Sequence, residues 1–206
     1  MSDPKFPATS MPDREWWSAL FPDPVAVLRR LGVEDGMTVL DLCCGDGLFT
    51  TALSEITQGR VYGLDVDPVL IARAKADLHA GASGALGWIV GDAREVATLL
   101  PARVDYVLIA NTLHGVEEPA SLLKEAGRIL APGGPIGVIN WRTLPREQTP
   151  VLGEPRGPAS AMRMSADALK AEFACAGLTA GAPIDLPPYH YGLVATLTGP
   201  SSRKRI

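Results

Sequence analysis

Cysteine is scarce in this chain of 206 residues: there are three, two of them neighbours at Cys43 and Cys44 and the third at Cys175. An odd count without paired Cys-x-x-Cys units makes neither a disulfide framework nor a zinc pattern, and it suits a reducing compartment. No apolar run is long enough to cross a bilayer, and the opening MSDPKFPATS has no apolar segment ahead of a cleavage site. The expected location is therefore the cytoplasm, with no membrane partner. Positive charge is not in excess: a net charge of -4 gives no general attraction to nucleic acid, and only SSRKRI at the end forms a short basic tail. Internal repeats are absent. What remains is a 47% hydrophobic chain, enough for one good-sized core and one domain.

Short apolar runs alternate with segments of helical period, which is the pattern of β-α-β units around a parallel sheet. TVLDLC (38–43) reads as a buried strand, followed by a helix with Leu48, Phe49, Ala52, Leu53 and Ile56 on one face. RVYGLDV (60–66) is the second strand. Asp67 and Pro68 then give an N-cap and a first-turn proline to a helix carrying Leu70, Ala74 and Leu78 inward and ending near Gly81. GWIVGDA (87–93) is the third strand, and VDYVLIAN (104–111) is nearly all apolar, as a central strand covered on both faces must be. An amphipathic helix with Leu122, Leu123, Ala126, Ile129 and Leu130 inward is stopped by PGG at 132–134, and IGVINWR (136–142) is the fifth strand.

The remainder differs in character. Residues 141–164 are rich in proline, glycine and arginine and too long for a plain connection, so they are expected to form a functional lid or a partly mobile insert. A helix over 165–176 turns Leu169, Phe173 and Ala176 inward, places Cys175 in the core and is capped by Gly177. Strands at 180–186 and 191–198, joined by PPYH, are expected to pair antiparallel.

The strand-to-helix turn CCGDG raises the question of a ligand. Gly45 and Gly47 let backbone approach a bound group at a helix N-terminus, and Asp65 ends the next strand, where a carboxylate can accept from both hydroxyls of a ribose. The third glycine of a dinucleotide loop is missing, and no GxxxxGK[ST] occurs, so a pyrophosphate or triphosphate ligand is disfavoured. Asp41 before the loop and Asp92 after the third strand add acceptors where phosphates would want donors. A cationic or zwitterionic nucleoside suits these groups better.

In order, VLDLCCGDG, VYGLDVDP, IVGDA, VLIANTLHGVEEP and LLKEAGRILAPGG resemble the motifs of class I S-adenosylmethionine-dependent methyltransferases, of the type 11-like, small-molecule group. DLCCG is similar to the form found in quinone-ring methyltransferases. The resemblance implies an α/β, Rossmann-like, seven-stranded and mostly parallel sheet with helices on both faces and an antiparallel last strand. It also implies S-adenosyl-L-methionine as cofactor: Gly45 and Gly47 approach its methionine part, Asp65 holds the ribose, Asp92 binds the adenine amino group and Asn111 closes the pocket, with Asp41, Cys43, Val66 and Ala93 as further cofactor-binding residues. Residues 1–206 then form a single domain: a flexible N-terminus (1–12), a helical cover (13–36), a cofactor-binding core (37–140), the insert (141–164), a C-terminal helix and hairpin (165–200) and the basic tail (201–206).

Two departures stand out: Cys43 replaces the first glycine of the usual triplet, and Asp46 stands where a small hydroxyl residue is common. The thiols read as packing beside the cofactor, with a metalloid-binding pair as the sharper alternative and no metal site expected. Candidate catalytic residues are His114, at the carboxyl end of a central strand, and Tyr189, His190 and Tyr191 in the terminal hairpin. Alternation places the two tyrosines on one face and His190 on the other. Trp16 and Trp17 are read either as packing or as a lid. The acceptor is a small molecule, and Arg142, Arg146, Arg156 and Arg163 suit an anionic one unless they hold loop carbonyls instead. Monomer and homodimer are both open. The alternatives to a methyltransferase are a non-catalytic module that binds the nucleoside and, on weaker grounds, an NAD(P)-dependent oxidoreductase.

Overall fold

Four successive buried residues, Val39–Leu42, form strand β1, flanked on both sides by parallel neighbours. With both edges paired and both faces covered, such a strand has to be continuously apolar save for a residue with a special task, which here is Asp41. The computed structural model describes residues 14–79, 84–100 and 102–198. The expected flexible N-terminus (1–12) and basic tail (201–206) lie outside the described residues.

On one side of β1 lie β2 (Val61–Asp65) and β3 (Gly87–Val90), and on the other β4 (Tyr106–Ala110) and β5 (Pro135–Trp141), all parallel. The chain direction across the sheet reverses between β1 and β4, which opens a crevice beyond their carboxyl ends. Beyond β5 comes β10 (His190–Leu197), antiparallel to it. The far edge is one strand position in two pieces, β8 (Leu178–Ala180) and β9 (Ile184–Leu186), both antiparallel to β10. The sheet is therefore seven strands wide with one antiparallel member, and the single strand expected over 180–186 is interrupted between its two pieces. A separate pair, β6 (Pro150–Val151) and β7 (Glu154–Pro155), lies in the insert.

Helices α1 (Arg14–Leu20), α2 (Pro24–Arg30) and α3 (Leu48–Thr57) bury Trp16, Trp17, Leu28, Phe49 and Leu53 in one core layer. α6 (Pro119–Arg128) and α7 (Ala166–Cys175) bury Leu122, Leu123, Leu169 and Phe173 in the other, with the short α5 (Val96–Leu99) supplying Val96. In α4 (Pro68–His79) the buried row is Ile71, Ala74 and Leu78, whereas Leu70 is half-buried. The expected row holds at Ala74 and Leu78 and differs only at its first member, because i, i+3, i+7 and i, i+4, i+8 both suit a helix and only packing selects between them. Cys175 is exposed rather than in the core: it lies two residues past Phe173, about 200° around the helix from the inward face.

The insert is ordered around a cation. Arg163, 6% exposed, donates to the carbonyls of Leu144, Arg156 and Pro158 and to Oγ1 of Thr149, and its guanidinium lies 4.9 Å from the centroid of Trp141. One planar fork with five donors ties three carbonyls and a threonine hydroxyl of the insert together.

Candidate functional site

The turn after β1 shows why glycine dominates such loops. Cys43, Gly45 and Gly47 all have positive φ, at 65°, 56° and 88°. Cys43 therefore holds a left-handed conformation that a glycine would adopt freely, at a cost of roughly 1 kcal/mol. Gly47 has a second reason to lack a side chain: a Cβ there would stand 2.7 Å from Cβ of Ala74 in α4. Its role is helix packing as much as ligand approach.

Two carboxylates support the loop. Asp65 accepts from the amide of Gly45 at 2.8 Å through Oδ2 and from the amide of Asp67 at 3.0 Å through Oδ1. Each oxygen keeps a lone pair, so the two ribose hydroxyls can still be met. Asp41 lies beneath the loop, 1% exposed, accepting from Oγ1 of Thr50 at 2.5 Å. Burial raises both groups above the ordinary carboxylate range, Asp41 to about 7, with the amide bonds to Asp65 and the Thr50 bond to Asp41 opposing the rise. Val66, half-buried, follows Asp65 directly. Asp92 caps the turn at Ala93–Glu95, accepting from the amide and the guanidinium of Arg94, and Ala93 is buried beside it.

The two thiols next to these carboxylates are held protonated. Burial pushes Cys43 and Cys44 upward, and Asp65 and Asp41 push them further. A thiolate is the species that binds a metalloid or attacks a disulfide, so this environment works against such chemistry. The other departure, Asp46, faces α1: Nε of Arg14 lies 3.6 Å from Oδ2 of Asp46, and the same guanidinium donates to the carbonyl of Asp46 at 3.0 Å and pairs with Asp77 of α4. The N-terminal helix is thereby fixed across the glycine loop.

At the carboxyl ends of β4 and β5 polar groups converge. Asn111 adopts φ 56°, a left-handed conformation that asparagine tolerates, and its amide donates to the carbonyl of Ile139 at 2.8 Å. His114 follows in a short turn, half-buried, and burial lowers its proton affinity. Asn140 of β5 is 0% exposed and lies opposite Tyr191 of β10. It is close enough to raise His114 and lower Tyr191, yet neither contact is a well-formed hydrogen bond: its Nδ2 and Oδ1 have no partner, nor do Nδ1 of His114 and Oδ1 of Asn111.

The hairpin candidates divide between the two faces of the sheet, in a way that differs from expectation. Tyr191 packs in the layer of α6 and α7, and its hydroxyl donates to the carbonyl of Met164 at 2.9 Å. His190 packs in the other layer between Phe21 and Trp141, with ring centroids 4.8 and 4.2 Å away, 0% exposed and without a partner at either nitrogen. Burial lowers it to about 3. Tyr189 stacks on Trp141 and donates to the carbonyl of Pro150 at 2.9 Å, so it joins His190 and not Tyr191. Strand alternation fails here because Tyr189 precedes β10, which begins at His190. Trp16 stacks on Trp17 and approaches Trp141, extending this aromatic wall to the N-terminal helix. Three of the four arginines on which an anionic acceptor was expected are engaged: Arg163 as above, Arg146 with the carbonyl of Gly157, and Arg142 with the carbonyl of His190 and with Asp185, whereas Nε of Arg156 is buried without a partner. Asn140 and Trp141 had no motif to mark them as site residues.

Known proteins resemble the chain in the same region. A family model described as a methyltransferase domain matches residues 39–134. A demethylmenaquinone methyltransferase of Lactococcus lactis is 34% identical over 54% of this chain and 45% of its own. A 2-phytyl-1,4-naphtoquinone methyltransferase of Thermosynechococcus vestitus is 35% identical over 54% and 49% respectively. The chain thus spans about half the length of these curated relatives. Among solved structures, a SAM-dependent methyltransferase from Aquifex aeolicus is 25% identical, with 90% of this chain and 94% of that one covered and a TM-score of 0.72.

Proposed function

We propose, from the premise that this chain carries a class I S-adenosylmethionine-dependent methyltransferase domain, that it transfers a methyl group from S-adenosylmethionine to an uncharged ring acceptor of small-molecule size. The observation that carries the reading is the pair of buried carboxylates, Asp41 and Asp65, around a glycine turn. Neither forms a salt bridge among the described residues, and burial disfavours both charges. A ligand bearing a sulfonium and an ammonium relieves that penalty, whereas the pyrophosphate of a nicotinamide dinucleotide would aggravate it.

When bound, S-adenosylmethionine supplies an electrophilic methyl carbon, so the protein's part is alignment and exclusion of water. Asp65 would hold the ribose, Gly45 and the turn around Cys43 the methionine portion, and Val66, Asp92 and Ala93 the adenine. The adenine amino group would share Asp92 with Arg94. Helix α1, fixed across the loop by Arg14, covers the site together with the wall of Trp16, Trp17, Trp141 and Tyr189. A ring acceptor is favoured by that wall and by the relatives, which are named for demethylmenaquinone and for a 2-phytyl-1,4-naphtoquinone.

The test is direct. The purified chain, given S-adenosylmethionine and a panel of hydroxylated naphthoquinones, phenols and benzoates, is expected to release S-adenosylhomocysteine with the uncharged ring compounds. Stronger binding of NADH than of S-adenosylmethionine would overturn the class. Turnover confined to benzoates would overturn the uncharged acceptor.

A further inference from the structure

Asn140 is the most expensive residue of the site to explain by folding alone. A fully buried side-chain amide has four hydrogen-bonding positions, and each one left unmade costs free energy with no return in stability. Leucine would fill nearly the same volume on β5 without that penalty. The neighbouring apolar positions of the strand, Ile136, Val138 and Ile139, show how this sheet normally covers itself.

Four of the buried atoms without a partner fall on three neighbouring residues. Oδ1 and Nδ2 of Asn140, Oδ1 of Asn111 and Nδ1 of His114 belong to the carboxyl end of β5 and to the chain that leaves the adjacent β4. Two are obligate acceptors, one is an obligate donor and the histidine nitrogen serves as either. None is charged while His114 is neutral. A ligand matching this set brings a donor to the two amide oxygens and an acceptor to the amide nitrogen.

We infer that Asn140, with Asn111 and His114, grips the polar edge of the methyl acceptor, and that this edge is an uncharged hydroxyl adjoining a carbonyl oxygen. Asn140 is the specificity-determining member, since its paired donor and acceptor read the two groups together. Sites built to hydrogen-bond a substrate hydroxyl reject analogues that lack it by large factors, because the protein groups are then stranded in a dry pocket. This inference rests on the methyltransferase reading above.

The test uses the whole chain saturated with S-adenosylhomocysteine and two probes, 2′-hydroxyacetophenone and acetophenone, titrated by calorimetry. The hydroxylated probe is expected to bind at least about tenfold tighter in the wild type. Asn140→Leu should abolish that preference, leave S-adenosylhomocysteine affinity unchanged, and raise the melting temperature by about 2 to 4 °C, since a stranded amide leaves the core. A purely structural asparagine would give the opposite shift in melting temperature, and such a fall overturns the inference. Equal affinity of the two probes for the wild type overturns it as well. Asn140→Ser keeps a polar group and serves if the leucine variant does not fold; its hydroxyl is too short to bridge both groups, so loss of the preference is expected and its retention counts against the assignment. A chain that fails to bind S-adenosylhomocysteine at all defeats the cofactor reading instead, which the probe comparison leaves distinguishable.

Discussion

Gly45 donates its amide to Oδ2 of Asp65 at 2.8 Å, tying the turn after β1 to the end of β2 across a sequence separation of 20 residues. The same carboxylate holds Asp67, so a single side chain fixes the glycine turn and the start of α4 while retaining lone pairs for a ligand. The shape of the turn and the start of α4 are thereby coupled.

Asp65→Ala should weaken S-adenosylhomocysteine binding by roughly 2 to 3 kcal/mol, the range for hydrogen bonds to a charged group. Asp65→Asn keeps one acceptor oxygen and should lose less. Calorimetry on both variants gives the ordering, and unchanged affinity in the alanine variant would remove Asp65 from the cofactor site.

Cys43 tests the meaning of the unusual turn. At φ 65° a glycine is unstrained and a β-branched residue is badly placed. Cys43→Gly should stay within about 1 kcal/mol of the wild type, because relieved strain offsets lost packing and added chain entropy. Cys43→Val should cost about 2 to 3 kcal/mol. Denaturant midpoints that rank valine above glycine would show that packing, not backbone conformation, rules this position.

Much of the fold was legible because local signals agreed. Asp67 and Pro68 start α4, Ser165 caps α7 through the amide of Ala168, and the apolar run Tyr106–Ala110 is a central strand. Asp65 was readable as the carboxylate that ends β2 beside the glycine turn for the same reason, and the structure joins it to the amide of Gly45. Asn140 was not readable, since an asparagine in a strand acquires meaning only from its register opposite Tyr191 and its proximity to His114. Tyr189 and Tyr191 were misassigned to one face because the first residue of a strand cannot be placed within one position from composition alone. The arginines of the insert left two readings open, an anion site or holders of loop carbonyls, and the backbone around Arg163 bears out the second for that residue.

Arg163→Met should loosen the insert without unfolding the sheet. Three carbonyls and the Thr149 hydroxyl lose their donor, so a loss of at least about 3 kcal/mol is expected locally. Arg163→Lys should rescue little, as an ammonium cannot span the same acceptors. Limited proteolysis is expected to cut within residues 143–162 much faster in both variants. Equal cleavage rates would mean that β6, β7 and their contacts hold the segment without the guanidinium.

Two buried groups make stability depend on pH in opposite directions. Asp41 is raised by burial from 3.8 to about 7, so the folded chain binds its proton more tightly than the unfolded chain does. The associated stability is full below about 4 and is lost as pH rises towards about 7. His190 is lowered by burial from 6.5 to about 3, so the folded state prefers it neutral, and its contribution is full above about 6.5 and is lost as pH falls towards about 3. Each effect is of the order of a few kcal/mol. Asp41→Asn retains an acceptor for Thr50 and removes the acidic proton, so it should stabilise the ligand-free chain at about pH 8 and change little at about pH 4. His190→Phe preserves a ring between Phe21 and Trp141 and should do the reverse, gaining most at about pH 4 because no imidazole remains to be charged. The crossed pattern is the diagnostic, since the other titrating groups are common to all three proteins and cancel in the differences. Melting temperatures of wild type and both variants at the two pH values measure it. If the two variants shift in parallel at both values, burial does not control these groups, and Asp41 loses its part in the argument for a cationic ligand.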